Sequence, residues 1–163
     1  MSRAPFQILV LPFRESPSGF EYAVFRRADN GLWQFIAGGG EERTLPQPSP
    51  PGKESNETPE EAARREAWEE AGIGVRRPMK ALASRAQISV DGVGGFLWGP
   101  DVSSVPEHCF AVEFDGGELA IGEEHTEFRW VDYETAMSML HWESNRVALE
   151  ELDTMLMDAG VVT

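Results

Sequence analysis

Residues 57–73, ETPEEAARREAWEEAGI, constrain the fold most because they carry signals for both ends of one helix. Thr58 is a good N-cap, Pro59 suits the first helical position, and Glu61 completes a capping box with Thr58. Alanines supply small packing positions along the segment, and Gly72 offers a C-terminal stop. The segment therefore predicts a helix of about 13 residues.

Three glutamates crowd the second half of this helix, where local energetics disfavour them. Residues four apart share a helical face, so Glu66 and Glu70 project side by side, with Glu69 just off that face. Each like-charged pair costs about 0.2–0.5 kcal/mol, and the helix dipole disfavours negative charge near a C-terminus. Functional residues are expected where local rules are broken in this way. Two explanations fit the spacing: carboxylates gathered for a hard cation such as Mg²⁺, or a solvated acidic face paired with Arg64 and Arg65.

The longer pattern around these glutamates is more specific than their spacing. Glu57 is followed by seven residues and then by REAWEEAGI at positions 65–73. This pattern resembles the Nudix box, G-x5-E-x7-R-E-U-x-E-E-x-G-U, in which U is a bulky apolar residue. The match is complete from Glu57 to Ile73, except that Ala67 is small for a U position. By this resemblance the chain is identified as a member of the Nudix hydrolases.

The first glycine of the box is displaced in this sequence. Pro51 stands where the spacing before Glu57 calls for glycine. Removing the proline-rich segment 43–55, RTLPQPSPPGKES, as an insertion brings Gly38 into register as the glycine of the catalytic motif. Asn56, where many members carry glycine, tolerates left-handed backbone angles. We expect a box split by an exposed loop, which is either a tolerated surface insertion or a lid or specificity element over the site.

The resemblance implies a fold, a reaction and a set of site residues. Nudix hydrolases are α+β proteins, with an α/β/α sandwich around a mixed sheet, in which the box forms a strand-loop-helix. They cleave a diphosphate linked to another moiety, X, using Mg²⁺ or Mn²⁺. Carried over to this sequence, the box makes Glu66 and Glu70 the principal metal ligands and gives Arg65 the task of orienting a glutamate. Glu57 and Glu69 would support the metal site or its water network.

Three segments outside the box extend the resemblance to one branch of the family. FRRADNGLWQF, EEHTEFRWVD and LHWESNRVALEEL are similar to the bacterial dihydroneopterin triphosphate diphosphatases, which are also described as dATP pyrophosphohydrolases. In that branch a glutamate just before the last core strand supplies a third metal ligand, and Glu124 matches it. The alternative for Glu124 is a surface acid in an acidic turn. His125 beside it is a candidate general base, although a histidine after a turn is more often merely exposed.

Candidate substrate contacts come from arginines and tryptophans near these segments. Arg26 and Arg27 follow an apolar strand, and strand alternation lets at most one of them face the site. We take Arg27 as the candidate that neutralises phosphate charge. Trp33 and Trp142 are candidates to stack on a pterin or a base, and core packing fits each of them equally well.

Apolar patterning along the rest of the chain predicts a mixture of strands and helices. The predicted strands include FQILVLPF and GFEYAVFRR, which ESPSG joins as a hairpin, followed later by MKALASRAQISV, FLWG, HCFAVEF and TEFRWVD. A Gly-rich turn, DGVGG, precedes FLWG. Helical spacing runs from Tyr133 to Leu140 and from Glu143 to Met157, and Ser144 or Asn145 suits the N-cap of the last helix. We expect one domain over residues 1–163.

Composition narrows the partners and the compartment. The chain has 28 acidic and 14 basic residues, a net charge of -14 that repels nucleic acids and anionic membranes. A phosphate ligand would therefore require divalent cations to invert the local charge. No apolar run approaches the roughly 18 residues of a membrane helix. The single cysteine, Cys109, is predicted to be a buried structural thiol and fits a reducing cytoplasm, while the oligomeric state stays open.

The sequence thus favours a Mg²⁺-dependent pyrophosphohydrolase that releases pyrophosphate from a nucleoside or pterin triphosphate. One alternative is a Nudix hydrolase of dinucleoside polyphosphates or nucleotide sugars. Another is a non-catalytic Nudix-fold binding module. The intact box glutamates argue against the binding module, because such a module has no need for a costly acidic cluster.

Overall fold

A mixed β-sheet lies at the centre of the molecule. The computed structural model describes residues 3–41, 57–89, 104–114 and 118–160. Within them seven strands form one sheet in the order β3-β2-β1-β6-β5, with β4 also paired to β1 and β7 to β2. The strands are β1 Arg3–Ser16, β2 Gly19–Arg27, β3 Trp33–Gln34, β4 Ile36–Glu41, β5 Met79–Ser89, β6 Ser104–Glu113 and β7 His125–Val131, and the helices are α1 Pro59–Ala71, α2 Tyr133–Met139 and α3 Glu143–Gly160. β1 runs parallel to β6, whereas the other pairs are antiparallel.

Helices cover both faces of the sheet because the central strand β1 is apolar on both sides. Ile8 and Val10 are fully buried in one core cluster with the alanine face of α1. Leu9 and Leu11 are fully buried in a second cluster with α2 and α3. Each such side chain contributes roughly 1.5–3 kcal/mol through burial. The predicted α/β/α sandwich with a mixed sheet is confirmed.

Helix α1 has the predicted ends. The Thr58 hydroxyl accepts a hydrogen bond from the Glu61 amide at 3.2 Å, and the Glu61 carboxylate accepts one from the Thr58 amide at 2.9 Å. At the other end Gly72 adopts a left-handed φ of 71° and caps the last turn. These local bonds fix where the helix starts and stops, and thereby the face on which each box glutamate projects.

The last helix begins earlier than its predicted cap. α3 starts at Glu143, so Ser144 and Asn145 both lie inside its first turn and neither is the N-cap. The Asn145 side-chain oxygen instead accepts a hydrogen bond from the Phe35 amide at 2.8 Å, which ties α3 to the sheet. Burial of Cys109 as a free thiol is confirmed.

Several sequence predictions fall on segments outside the described residues. These are the proline-rich insertion 43–55, the turn DGVGG and the strand FLWG. Among the helices that are described, none is long and apolar enough to cross a membrane.

Candidate active site

The guanidinium of Arg65 ties together the glutamates of the box. Its Nε and Nη2 donate to the two carboxylate oxygens of Glu57 at 2.8 and 3.0 Å. Its Nη1 donates to Glu66 at 2.8 Å and to Glu69 at 3.1 Å, and Nη2 also reaches the carbonyl of Gly39 at 3.1 Å. Burial opposes the charge on Arg65, but the hydrogen bonds to Glu57 and the charge of Glu66 outweigh it and raise its pKa. Arg65 therefore has the contacts of the predicted orienting residue.

Glu70 is an acid buried without a compensating donor. Its side chain is nearly inaccessible, and neither carboxylate oxygen has a hydrogen-bond partner among the described residues. Burial raises the pKa of Glu70, and the neighbouring carboxyls of Glu66 and Glu124 raise it further. Burial likewise raises the pKa of Glu66, against the opposing effects of Glu70 and Arg65. Ionised carboxylates can only accept hydrogen bonds, so the neighbouring carboxylates of Glu66, Glu70 and Glu124 repel one another when all are ionised. Binding of a proton or a cation would relieve this repulsion.

The donor set fits an open site for a hard divalent cation. Mg²⁺ usually takes one or two carboxylates and completes its shell with water and substrate phosphates. Within the described part of the chain, no three His, Cys, Asp or Glu side chains are placed so that they could hold a metal ion together. Glu70, with Glu66 and Glu124 beside it, therefore suits a cation whose remaining ligands come from water and a phosphate rather than a closed protein cage.

Gly38 lies directly against Glu66. A Cβ atom at position 38 would lie 2.5 Å from the Cδ of Glu66, well inside contact distance. Only glycine lets strand β4 approach the box helix so closely without displacing that carboxyl. The structure thus brings Gly38 and the helix together, although the insertion separates them in the sequence; the catalytic role of Gly38 stays a prediction.

His125 is buried, so the expectation that it is exposed is wrong. It starts β7, packs its ring 5.3 Å from that of Phe25, and places Nε2 3.8 Å from a carboxylate oxygen of Glu70. Neither ring nitrogen has a hydrogen-bond partner within the described ranges. Burial lowers the pKa of His125, and the positive charge of Arg27 lowers it further. Burial and Arg27 therefore favour the neutral imidazole, in which one ring nitrogen is a hydrogen-bond acceptor.

A cavity of about 470 Å³ extends from these carboxylates towards the N-terminus of α3. Glu66, Gly38 and Glu124 line it, so Glu124 is both an exposed acid and part of the cavity wall. Arg27 lines it as well, with its guanidinium held by both oxygens of Asp29 at 2.9 Å. The remaining lining residues are Gln7, Asp29, Asn30, Gln34, Ala37, Glu107, Trp142, Ser144 and Asn145. A volume of this size is typical of small-molecule sites.

Of the two candidate tryptophans, the structure brings only Trp142 to this cavity. Trp142 is 44% exposed and donates its indole N–H to the Gln34 side chain at 3.1 Å. Trp33 packs instead against the core cluster under α2 and α3, and the guanidinium of Arg129 lies 5.2 Å over its ring. The core-packing alternative therefore accounts for Trp33.

Gln7 and Glu107 line the cavity although no sequence argument selected them, and Ser144, which the sequence suggested only as a helix cap, lines it as well. A signal was present in the strand alternation. On the face towards α3, β1 and β6 read Gln7-Leu9-Leu11 and Glu107-Cys109-Ala111, so a polar residue occupies the first position of each otherwise apolar series. A polar residue on the buried face of a strand marks a site more specifically than a polar residue in a loop.

Comparison with known proteins gives the family. The NUDIX domain model matches residues 9–152, which is most of the chain. The chain therefore belongs to the Nudix family, and it is a Nudix hydrolase, an enzyme class that cleaves phosphoanhydride bonds.

Three relatives show which members of that family the chain is similar to. A solved structure from Listeria monocytogenes, assigned to the NUDIX hydrolases, is 35% identical, with a TM-score of 0.80 and coverage of 96% of this chain and 97% of that one. Dihydroneopterin triphosphate diphosphatase of Haemophilus influenzae is 26% identical over 129 residues, 77% of this chain and 73% of that protein. The Escherichia coli dihydroneopterin triphosphate pyrophosphohydrolase structure shares the fold, at 21% identity, TM-score 0.72 and coverage of 95% and 99%.

Proposed function

We propose that the protein is a Mg²⁺-dependent pyrophosphohydrolase that converts a nucleoside or pterin triphosphate to the monophosphate and pyrophosphate. The observation that carries the proposal is Glu70, whose two buried oxygens lack a donor while Glu66 and Glu124 lie beside it. Two of these three acids line a cavity large enough for such a substrate. Similarity to the Haemophilus influenzae diphosphatase supports a triphosphate as the substrate class.

Each site residue then has a task that its contacts support. Glu66 and Glu70 would hold the cation, and Glu124 would become a third ligand only by moving towards it, because the three carboxylates are not grouped for an ion in the free protein. Bound Mg²⁺ or Mn²⁺ would neutralise phosphate oxygens and lower the pKa of a bound water. Arg65 keeps Glu57 and Glu66 in fixed orientations, with Glu69 held on the same guanidinium.

Two further residues would contact the rest of the substrate. Arg27 lines the cavity and would offset phosphate charge, while the two hydrogen bonds to Asp29 fix the orientation of its guanidinium. Trp142 would present its indole face to the planar moiety X, since its N–H is already occupied by Gln34.

A substrate panel with Mg²⁺ tests the proposal. We expect pyrophosphate to be released from dihydroneopterin triphosphate or from a nucleoside triphosphate such as dATP. Glu70→Gln and Glu69→Gln should each abolish metal-dependent turnover. Glu60→Gln, on the exposed face of the same helix, is the matched control and should leave turnover intact. Unchanged turnover in Glu70→Gln would contradict the proposed metal site.

The same panel separates the alternatives. Products from a dinucleoside polyphosphate or a nucleotide sugar, without pyrophosphate from any triphosphate, would favour the second hydrolase class. Ligand binding without any product would favour a binding module. We further propose that residues 1–163 form one Nudix domain with an insertion at 43–55, and that the protein acts in a reducing cytoplasm, because its only cysteine is a buried free thiol.

A further inference from the structure

The far wall of the cavity carries two polar side chains from the middle of the sheet. β1 and β6 pair in parallel with Gln7 opposite Glu107, so both side chains stand next to each other on the face towards α3. The following positions on that face, Leu9 and Cys109, are buried in the core. Gln7 and Glu107 therefore lie where the core ends and the cavity begins.

Each of these two side chains has a buried oxygen that receives no hydrogen bond from the residues that the structure describes. The carboxyl of Glu107 is only 3% exposed, and its Oε1 has no hydrogen-bond partner among the residues that the structure describes. The Oε1 of Gln7 is also buried and has no hydrogen-bond partner among the described residues. The hydroxyl of Ser144 hydrogen-bonds to Glu107, which leaves one free carboxylate oxygen. Burying an acceptor without a donor costs roughly 1–3 kcal/mol, so a ligand that supplies donors here recovers that cost.

The neighbouring polar groups are already occupied. Gln34 accepts from the Trp142 indole at 3.1 Å, and Asn145 accepts from the Phe35 amide at 2.8 Å. Among the lining residues that the structure describes, the buried side-chain oxygens without a hydrogen-bond partner are therefore Gln7 Oε1 and Glu107 Oε1, with the Trp142 ring as an aromatic side wall. A planar ring with two adjacent N–H donors on one edge matches this arrangement.

We infer that Glu107, assisted by Gln7, determines specificity for X by accepting hydrogen bonds from a 2-amino-4-oxo-pyrimidine edge, the edge that guanine and pterin rings share. On that edge a ring N–H and an exocyclic amine are adjacent donors. Adenine offers an amine next to an acceptor nitrogen and does not match two acceptors. The inference rests on the proposed function, because it names the moiety that the triphosphate carries.

The electrostatics of the wall support this assignment. Burial raises the pKa of Glu107 to about 7, and the hydrogen bond from Ser144 acts in the opposite direction. Two donors from a ligand would act as Ser144 does and favour the ionised carboxylate. A purely structural role would be served equally well by a neutral side chain at this position.

GTP and ITP test the inference, because they differ only in the 2-amino group. We expect the wild type with Mg²⁺ to prefer GTP over ITP by roughly 10- to 100-fold in kcat/KM, the value of a hydrogen bond to a charged acceptor. Glu107→Gln, which can turn an NH₂ group towards the ligand, should bring this ratio close to one by weakening GTP. Glu113→Gln, an exposed acid on the same strand, is the matched control and should keep the wild-type ratio. Dihydroneopterin triphosphate in the same assay shows whether the pterin or the purine is preferred.

Binding of GMP and IMP, measured by calorimetry, separates failure of the inference from failure of the proposed function. If no triphosphate yields pyrophosphate, but GMP binds more tightly than IMP and Glu107→Gln removes the difference, the proposed function fails and the inference holds. If triphosphates are hydrolysed but neither assay discriminates the 2-amino group, the inference is overturned. An equal loss with both nucleotides in Glu107→Gln would also overturn it, since that indicates a structural role. If Glu107→Gln does not fold, Gln7→Met removes the second acceptor at similar volume and should also lower the GTP:ITP ratio.

Discussion

Replacing Glu107 with glutamine should stabilise the protein, and increasingly so as the pH rises. Glu107 is buried on the central sheet, and burial raises its pKa from the ordinary 4.5 to about 7. Above pH 4.5 the unfolded chain gives up this proton while the folded protein retains it. The free energy of unfolding therefore falls as the pH rises towards 7, and the full penalty is present above pH 7.

The size of the effect follows from the two pKa values. The difference between 4.5 and about 7 corresponds to a penalty of about 3 kcal/mol once the folded carboxyl is ionised. At pH 5 less than a third of that penalty has developed, so the advantage of Glu107→Gln over the wild type should grow by about 2–3 kcal/mol between pH 5 and pH 8. For a chain of this length that growth equals a shift in Tm of roughly 5–10 °C.

Urea unfolding of both proteins at pH 5 and pH 8 measures this difference directly. Other titrating groups are common to both proteins and cancel in the comparison. Glu113→Gln, on the exposed end of the same strand, serves as the control and should track the wild type at both pH values. An advantage of Glu107→Gln that is constant or that shrinks with rising pH would refute the reasoning, because it would mean that the buried carboxyl is compensated in the free protein.

Three further substitutions test other parts of the structure. Gly38→Ala should displace the Glu66 carboxyl and lower kcat by about 100-fold with little loss of stability. The control is Gly74→Ala, whose added methyl group meets nothing within 4 Å and which should leave kcat unchanged. Equal kcat values in the two variants would contradict the close approach of Gly38 to Glu66. Glu70→Gln should raise the Tm of the metal-free protein and remove the Tm increase that Mg²⁺ gives the wild type, and a retained Mg²⁺ shift would place the cation elsewhere. Thr58→Ala should lower the free energy of unfolding by about 1 kcal/mol in urea through loss of the N-cap, and an unchanged midpoint would show that tertiary packing alone holds the helix end.

The box helix could be predicted almost to the residue because its signals are local. Thr58 and Glu61 bond to each other across one turn, and Gly72 ends the helix through its own backbone angle. These interactions depend on residues within a few positions of one another. The same locality let the spacing place Glu66 and Glu70 on neighbouring turns before any tertiary structure was known.

Side chains whose surroundings come from distant segments could not be placed in this way. His125 is buried because β7 pairs with β2 and sets the ring against Phe25, which the acidic turn before it does not reveal. Asn145 was expected to cap a helix but reaches the amide of Phe35 across the fold. Trp33 and Trp142 fit stacking or core packing equally well on local criteria, and only the tertiary structure brings Trp142 to the cavity.

Glu107 and Gln7 are an intermediate case. Each breaks an apolar alternation that the sequence displays, so each could have been singled out as a polar residue on a buried face. Their juxtaposition could not be predicted from the sequence, because it depends on the parallel register between β1 and β6, two strands that lie far apart in the sequence. The alternation of apolar and polar residues identifies each buried polar residue by itself. The pairing register of the strands is needed to show which of these residues are neighbours.

Under the two proposals, the buried acids Glu70 and Glu107 would divide recognition between a cation-dependent end and a cation-independent end. The protein carries a net charge of -14, and the proposed triphosphate is itself anionic, so the phosphate end would require cations to make the box carboxylates attractive to substrate. The far wall would meet a neutral ring under the inference above, and an anionic acceptor is favourable there without any metal because the ring presents donors. Changes at Glu70 should therefore affect every phosphate substrate alike, whereas changes at Glu107 should alter which substrate is chosen. Burial disfavours the ionised form of both carboxyls in the free protein, and the proposed substrate with its cation would relieve both, so occupancy of the site and stability of the fold would be linked through the same two residues.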